Sequence, residues 1–186
     1  MGSGDSILCF DDSLQKQYQE GLKRMQNKWP DCIGFAYFQS YSNTYAPLFI
    51  LKKIYDPFFK DPNIPGVAIA TRADCLNDEI IDYLNSQNKE VWLELGLQSV
   101  HEDTMEKCNR KHSTQIVFDW LDKLKVTNIK TCVHIINGLP GETKQDMLET
   151  VKQIAKQPVD AIKIHMMHLI EGTKVGKKKK KEPFHI

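Results

Sequence analysis

Apolar residues recur along the chain with two alternating spacings. Five stretches repeat an apolar residue every three to four positions, the period of one helix face, and predict helices. These stretches cover about 14–29, 48–58, 80–84, 116–124 and 147–155. Pro57 is expected to break the second helix. Asn77, and the pair Thr143 and Asp146, predict N-terminal caps of later helices.

Five shorter apolar runs separate the helices and predict strands. They lie at about 33–38, 67–70, 91–97, 129–136 and 159–169. Alternation of strands and helices over short connections implies right-handed crossovers and a parallel sheet covered by helices. The predicted fold is therefore α/β, either doubly wound or curved into a barrel. With 186 residues, 41% of them hydrophobic, the chain can bury one core, and we expect one domain.

Polar side chains inside these strands are informative, because an unpaired buried charge is costly. Alternate residues of a strand face the same way, so the polar residues of each strand share a face. If these faces coincide, they collect Arg72, Asp74, Glu94, Gln98, His134, Lys163 and His165. That surface would be a ligand-lined lumen near the C-terminal strand ends, where parallel α/β sheets place their sites. The alternative is that these residues form internal ion pairs or face the helices.

Charge and composition argue against several classes of function. The 25 basic and 24 acidic residues leave a net charge of +1, so no global field favours nucleic acid or an anionic membrane. No apolar run approaches the roughly 20 residues of a membrane span, and the first residues lack a signal peptide. We expect a cytoplasmic protein without a membrane segment. The lysines of 177–181 predict a solvated tail, with an RNA-contacting arm as the alternative.

The five cysteines stand singly in the sequence, at Cys9, Cys32, Cys75, Cys108 and Cys132. No two have the close spacing of zinc or iron–sulfur ligands. An odd number also argues against a closed disulfide framework. We therefore expect reduced thiols.

Two loops at predicted strand ends could hold a cofactor. Residues 39–47 are rich in hydroxyl, amide and aromatic groups, which suit a ligand's amino and carboxylate groups. Residues 134–143 pass through Gly138 and Gly141 into a capped helix, where backbone can approach a flat ligand and free N–H groups are available. Taken alone, each loop can also be an ordinary connection, and for the Gly138 turn that is the favoured interpretation.

Several ordered motifs resemble the radical SAM superfamily, in a bacterial branch related to coproporphyrinogen dehydrogenase and the Elp3-like proteins. They are Glu94-Leu95-Gly96-Leu97-Gln98-Ser99, Asn109-Arg110-Lys111-His112-Ser113 and the segments 36–47, 71–76, 134–143 and 162–165. The resemblance covers about 13–173 and implies a partial, open β/α barrel with parallel strands, here strands two to six of six. Residues 1–12 would be an N-terminal remnant and 174–186 a lysine-rich tail.

The resemblance also implies a set of residues that bind S-adenosylmethionine (SAM). They are Gln39, Ser40, Asn43, Thr44, Arg72, Glu94, Gln98, Arg110, Asn137, Gly138 and His165. The loop after the first predicted strand would hold the amino group, and Gln98 would approach the ribose hydroxyls. Arg110 would pair with the methionyl carboxylate through its forked donors. Asn137, Gly138 and the backbone around His165 would flank the adenine.

The sequence departs from the family pattern at the catalytic cluster. Family members reduce SAM with a [4Fe–4S] cluster on a Cys-x3-Cys-x2-Cys loop, and no cysteines here have that spacing. Residues 2–5 resemble the segment shortly after that loop. We therefore expect a chain truncated before the second strand, with the cluster in the intact parent only.

The function implied by the resemblance is that of an Fe–S oxidoreductase-type radical SAM enzyme. The intact parent would generate a 5′-deoxyadenosyl radical and act on a small molecule or a tRNA nucleoside. This chain is expected to bind SAM weakly at most and not to cleave it.

Two other functions stay open at this point. One is a metal-dependent barrel hydrolase using Asp74, His134, His165 and His168, although the last two, three apart on a strand, face opposite ways. The other is a non-enzymatic fragment that associates with itself through the bare edge of the 33–38 strand.

Overall fold

The computed structural model describes residues 13–170 and Thr173. The expected N-terminal remnant, 1–12, and the lysine-rich tail, 174–186, lie outside the described residues. Within that part of the chain the strands are β1 Ala36–Phe38, β2 Gly66–Thr71, β3 Glu90–Gln98, β4 Lys130–Asn137 and β5 Ala161–Met166. The helices are α1 Leu14–Gln26, α2 Leu48–Lys60, α3 Asp78–Asn85, α4 Glu102–Lys107, α5 Thr114–Leu124 and α6 Lys144–Ile154.

The five strands form one parallel sheet in the order β1-β2-β3-β4-β5, which is also their order along the chain. A doubly wound sheet reverses its strand order at a switch point, and this sheet does not. The observed order confirms the α/β prediction and favours the open β/α barrel over the doubly wound alternative.

The central strand β3 shows how the core and the lumen are separated. Val91, Leu93, Leu95 and Leu97 are at most 3% exposed and belong to the main hydrophobic cluster. The residues between them are less buried, as the alternation of a strand requires. One face of the sheet therefore packs on the helices, and the other carries the polar side chains of the lumen.

Helix starts agree with the predicted caps. The Asn77 side chain accepts a hydrogen bond from the Ile80 N–H, and Thr143 with Asp146 forms a capping box. The start of α5 is satisfied differently, because the Thr114 N–H donates to the Glu102 carboxylate. That long-range cap was not apparent from the sequence.

The predicted break at Pro57 was wrong, because α2 continues to Lys60. Pro57 and Lys53, whose carbonyl loses its helical partner, both lie on the exposed side, where water can satisfy the carbonyl. The next turn is stabilised by Phe58, whose ring packs edge-on against Phe38 with centroids 5.0 Å apart. Helix α4 was missed because its six residues are mostly polar.

Two strands are shorter than predicted. β1 begins at Ala36, where pairing with Val67 begins, and Ile33 before it is 75% exposed. β5 ends at Met166, where its partner Asn137 ends β4. The apolar pattern continued past the point at which a neighbouring strand is available.

No helix in the described ranges combines the length and apolar character needed to cross a membrane.

Candidate functional site

A cavity of about 440 Å³ opens on the lumen side of the sheet, towards the C-terminal ends of the strands. Its volume lies within the usual range for small-molecule sites, about 300–1,000 Å³. Seven of the eleven residues predicted to bind SAM line it, namely Gln39, Ser40, Arg72, Glu94, Gln98, Arg110 and His165. His134 and Lys163 line it as well. Of the seven polar residues predicted to share a face, Asp74 alone is not among those lining the cavity.

Asn43 and Thr44 are not among the residues lining the cavity, and instead hold the loop after β1 against β2. The Asn43 Nδ2 donates to the carbonyls of Phe38, Ser40 and Ala70, at 3.2, 3.1 and 2.8 Å. Thr44 is 2% exposed, and its hydroxyl lies 2.6 Å from that of Thr71. These two residues therefore shape the loop, and Gln39 and Ser40 are the predicted residues of this loop that line the cavity.

Asn137 and Gly138 also lie outside the cavity lining. The carbonyl of Asn137 accepts the backbone N–H of Met167 at 2.8 Å. Gly138 has φ of 82° and donates its N–H to the Met147 sulfur at 3.3 Å. The glycine serves the turn into α6, which leaves His165 as the predicted adenine neighbour that lines the cavity.

Strained backbone is concentrated around this cavity. Among the described residues, the non-glycine positions with positive φ are Ser40, Tyr41, Gln98, Asn109 and Lys111, with values of 62–71°. The first four line the cavity. Such conformations cost about 1–3 kcal/mol each and persist where surrounding structure enforces them, typically at functional sites. None of these positive φ values could be predicted from the sequence pattern.

Gln98 reaches the cavity through an irregularity in β3. The register with β4 shifts between Gly96 and Gln98, so that Gln98 pairs with Ile135. A Cβ on Gly96 would lie 2.8 Å from the Gln98 Nε2, closer than real Cβ contacts allow. Glycine at this position therefore lets the Gln98 carboxamide fold back over the strand, where it can meet a ligand's hydroxyl groups.

Arg110 lines the cavity, but most of its N–H groups donate to other groups of the protein. Its Nε donates to the His112 carbonyl at 2.9 Å and its Nη1 to the Leu97 carbonyl at 2.5 Å. Its Nη2 donates to Glu102 at 3.3 Å and to the Thr114 hydroxyl at 3.0 Å. With the side chain 6% exposed, one of its five N–H groups remains for a ligand. The forked pairing with a carboxylate expected for Arg110 is therefore not available in this arrangement. A contact through its one remaining N–H stays a prediction.

Arg72 and His112 offer further groups at the same end of the cavity. Arg72 makes a two-pronged ion pair with Asp74, at 2.9 and 2.6 Å, which lowers the Asp74 pKa, and keeps its Nη1 uncommitted. His112 has a side chain 5% exposed, and burial together with Arg110 lowers its pKa. Among the described residues, its Nε2 is a buried polar atom without a hydrogen-bond partner. A buried orphan of this kind in a cavity wall is a ready contact for a polar ligand.

Glu94 is the centre of a charged network on the cavity floor. Its Oε2 accepts from the Tyr37 hydroxyl at 2.6 Å, from the His134 Nε2 at 2.7 Å and from the Lys163 Nζ at 3.3 Å. Burial alone would raise the Glu94 pKa, but the hydrogen bonds from His134 and Tyr37 and the nearby positive charges outweigh it and lower the pKa to about 2. The internal ion pairs considered from the sequence therefore exist, and they lie inside the lumen.

The ligand set predicted for a hydrolase metal is not the one brought together. Asp74 is occupied by Arg72, and His168 lies beyond the end of β5. Among the described residues, the potential metal ligands that converge are Glu94, Cys132 and His134, whose ligand atoms lie within 4.8 Å of one another. Of these three residues, His134 belongs to the predicted set, and Glu94 and Cys132 do not.

The described residues do not provide the thiolates of a [4Fe–4S] cluster. Their cysteines lie on separate elements, with Cys32 before β1, Cys75 after β2, Cys108 after α4 and Cys132 in β4. Such clusters are held by several cysteines around one site. The cavity itself does fit a nucleoside-bearing ligand, given its volume, the orphan His112 Nε2 and the folded-back Gln98.

Comparison with known proteins agrees with this geometry. Residues 18–154 match the family model described as the Radical SAM superfamily. The chain is 41% identical over 182 residues to the uncharacterized protein YtqA of Bacillus subtilis, covering 97% of this chain and 56% of that protein. It is 37% identical over 145 residues to YhcC of Escherichia coli, covering 76% of this chain and 47% of that protein. The chain thus spans about half the length of these curated relatives.

A solved structure shows the same fold at low sequence identity. Elp3 of Methanocaldococcus infernus, with an N-terminal deletion, superposes with a TM-score of 0.75 at 17% identity. The match covers 94% of this chain and 46% of Elp3. At this identity the likeness supports the barrel architecture.

Proposed function

Because the chain belongs to the Radical SAM superfamily, we propose that its lumen cavity binds SAM. We also propose that the chain is the SAM-binding portion of a radical SAM enzyme of the Fe–S oxidoreductase type. The observation that carries the proposal is the convergence of Gln39, Ser40 and Gln98 on one cavity, where the last two have strained backbone. In radical SAM chemistry a [4Fe–4S] cluster supplies the electron that cleaves SAM. The described residues do not hold that cluster, so the proposal for this chain ends at binding.

Each side of the cavity would receive one part of the ligand. The Gln98 carboxamide would bind the ribose hydroxyls, and the loop of Gln39 and Ser40 the amino group. The remaining N–H of Arg110 would bind the carboxylate, with the uncommitted Nη1 of Arg72 as a second donor near it. Since these contacts come from the ends of three strands and from the loop between α4 and α5, the ligand would be held in one orientation.

SAM affinity tests this assignment directly. We expect Gln98→Ala to weaken SAM binding about tenfold, because a lost hydrogen bond with a desolvated partner costs about 1.4 kcal/mol. Gly96→Ala, at a glycine that lines the same cavity, is also expected to weaken binding, since its Cβ would displace the Gln98 carboxamide. Equilibrium dialysis with labelled SAM measures both effects.

The matched control is Gln115→Ala, an exposed glutamine on α5 bonded to Asp119, which should leave SAM affinity unchanged. Equal SAM affinity of the Gln98→Ala variant and the wild-type chain would contradict the assignment. Absence of SAM binding by a folded chain would contradict the proposed function as a whole.

The reaction of a radical SAM enzyme that contains this portion extends the proposal. A radical generated from SAM in this lumen would abstract hydrogen from a substrate, and the substrate would be a small molecule or a tRNA nucleoside.

We further propose that the chain associates with a second copy through the β1 edge. Among the described residues β1 pairs with β2 alone, and an apolar groove of about 300 Å³ lies between α1 and the β1 edge. Ile33 and Met25 line that groove and are 75% and 49% exposed. Unpaired strand edges beside apolar surface favour pairing with another chain.

Light scattering after size exclusion should therefore show a concentration-dependent dimer. Ile33→Lys should shift the chain to monomer, because a charge in the apolar groove beside the β1 edge opposes association. Val126→Lys, at a position 84% exposed and away from the edge, should leave the dimer unchanged. A chain that is monomeric at every concentration would refute self-association.

A further inference from the structure

Three different metal-binding side chains meet on the floor of the lumen. Glu94 and Cys132 are register partners on β3 and β4, and His134 is the register partner of Gly96. Cys132 and His134 lie two positions apart on β4 and therefore face the same side, and the ligand atoms of all three residues lie within 4.8 Å of one another. The arrangement is set by strand pairing in the centre of the sheet, so it is rigid.

Small residues surround this cluster. On β2, Ala70 is the partner of Glu94, and on β5, Ala161 is the partner of Cys132. Gly96 lies beside His134. Cys132 is 6% exposed, and the Glu94 and His134 side chains are each 14% exposed. The cluster is therefore shielded from bulk water, and the one large side chain at the neighbouring register positions is Lys163, the β5 partner of His134.

We propose that Glu94, Cys132 and His134 form a binding site for a divalent cation of the zinc type. A carboxylate oxygen, a thiolate sulfur and an imidazole nitrogen are a donor set that zinc accepts, and hard cations such as magnesium disfavour the sulfur. Three protein ligands leave a fourth position for water or a substrate atom. Because Glu94 and His134 line the SAM cavity, that position faces the lumen.

Lys163 is the group that opposes the cation. Its Nζ lies 3.3 Å from the Glu94 Oε2 and 2.7 Å from the Tyr37 hydroxyl oxygen. In the metal-free chain this ammonium neutralises Glu94. An ammonium and a divalent cation repel each other across one carboxylate, so the cation displaces Lys163, whose side chain is 37% exposed and can turn into the lumen. Cation affinity is therefore limited by Lys163 and rises when its charge is removed.

Cobalt, as a spectroscopic substitute for zinc, tests the site in the reduced, full chain. We expect one equivalent of Co²⁺ to give a thiolate-to-cobalt charge-transfer band, and Zn²⁺ to remove it. Cys132→Ser should abolish the band and weaken Zn²⁺ binding at least about tenfold, measured by competition with a chromogenic chelator. Cys108→Ser, which alters a thiol outside the cluster, should leave the band and the affinity unchanged. Lys163→Met should raise Zn²⁺ affinity about tenfold.

A band that persists in Cys132→Ser, or Lys163→Met binding Zn²⁺ no better than the unchanged chain, would overturn the proposal. Glu94→Gln provides a second ligand variant should Cys132→Ser fail to fold, and circular dichroism shows whether each variant is folded. Because the metal alone is the probe, loss of this site would not affect the test of SAM binding, and the two proposals can fail separately.

Discussion

Arg110→Met is expected to destabilise the chain by about 2–3 kcal/mol, because it leaves buried hydrogen-bond acceptors without a donor. The guanidinium joins the end of β3 to the start of α5 through the Leu97 carbonyl and the Thr114 hydroxyl. Methionine fills a similar volume but replaces none of these bonds. The exposed Glu102 adds little, since it is half in water. Urea unfolding followed by circular dichroism measures the change.

Two other arginine variants sharpen this test. Arg110→Lys should recover little stability, because an ammonium cannot reproduce the fork of donors that spans these acceptors. Arg24→Met, at an exposed position on α1, should change the unfolding free energy by less than about 0.5 kcal/mol. An Arg110→Met chain that unfolds at the same urea concentration as the unchanged chain would show that Arg110 does not hold the loop.

Leu95→Ala is expected to have the largest effect on stability, about 3–4 kcal/mol. Leu95 is 0% exposed on the middle strand, with paired strands on both sides, so little can move to fill the cavity that the substitution leaves. A loss of this size is a large share of the stability of an ordinary domain. The urea midpoint should fall accordingly.

Val126→Ala is the matched aliphatic control. Val126 is 84% exposed, so shortening its side chain removes almost no buried apolar surface. The unfolding free energy of Val126→Ala should stay within about 0.5 kcal/mol of the value for the wild-type chain. A Leu95→Ala chain as stable as Val126→Ala would mean that β3 is not the centre of the core.

The architecture could be predicted from the sequence because every strand is paired with its sequence neighbour. In such a sheet, local apolar runs and their alternation with helices already specify which elements meet. Element ends were less predictable. The ends of β1 and β5 depend on where the neighbouring strand stops, which is not a local property of Ile33 or of the segment after Met166.

The site was predictable to the extent that it follows strand parity. Glu94, His134 and Lys163 were placed correctly on one face because alternate residues of a strand face the same way. Asn43 and Thr44 were assigned to the ligand from a motif, but their polar groups are used by the Ala70 carbonyl and the Thr71 hydroxyl. Contacts between residues far apart in sequence decide such cases.

Cys132 is a residue of the cluster that the sequence analysis did not place in any site. Judged by spacing along the chain, it is a lone thiol far from any other cysteine. Pairing of β3 with β4 sets it opposite Glu94, and alternation on β4 sets it two residues from His134 on the same face. A search for ligand pairs within one loop cannot find a site built across two strands.

Backbone amide shifts on addition of SAM to the isotope-labelled chain test most directly whether the lumen is the cofactor site. We predict that the changes concentrate at residues 39–41, at Gln98 and at 109–112, around the cavity with the strained backbone. Changes confined to the groove between α1 and β1, or no changes at saturating SAM, would contradict the account.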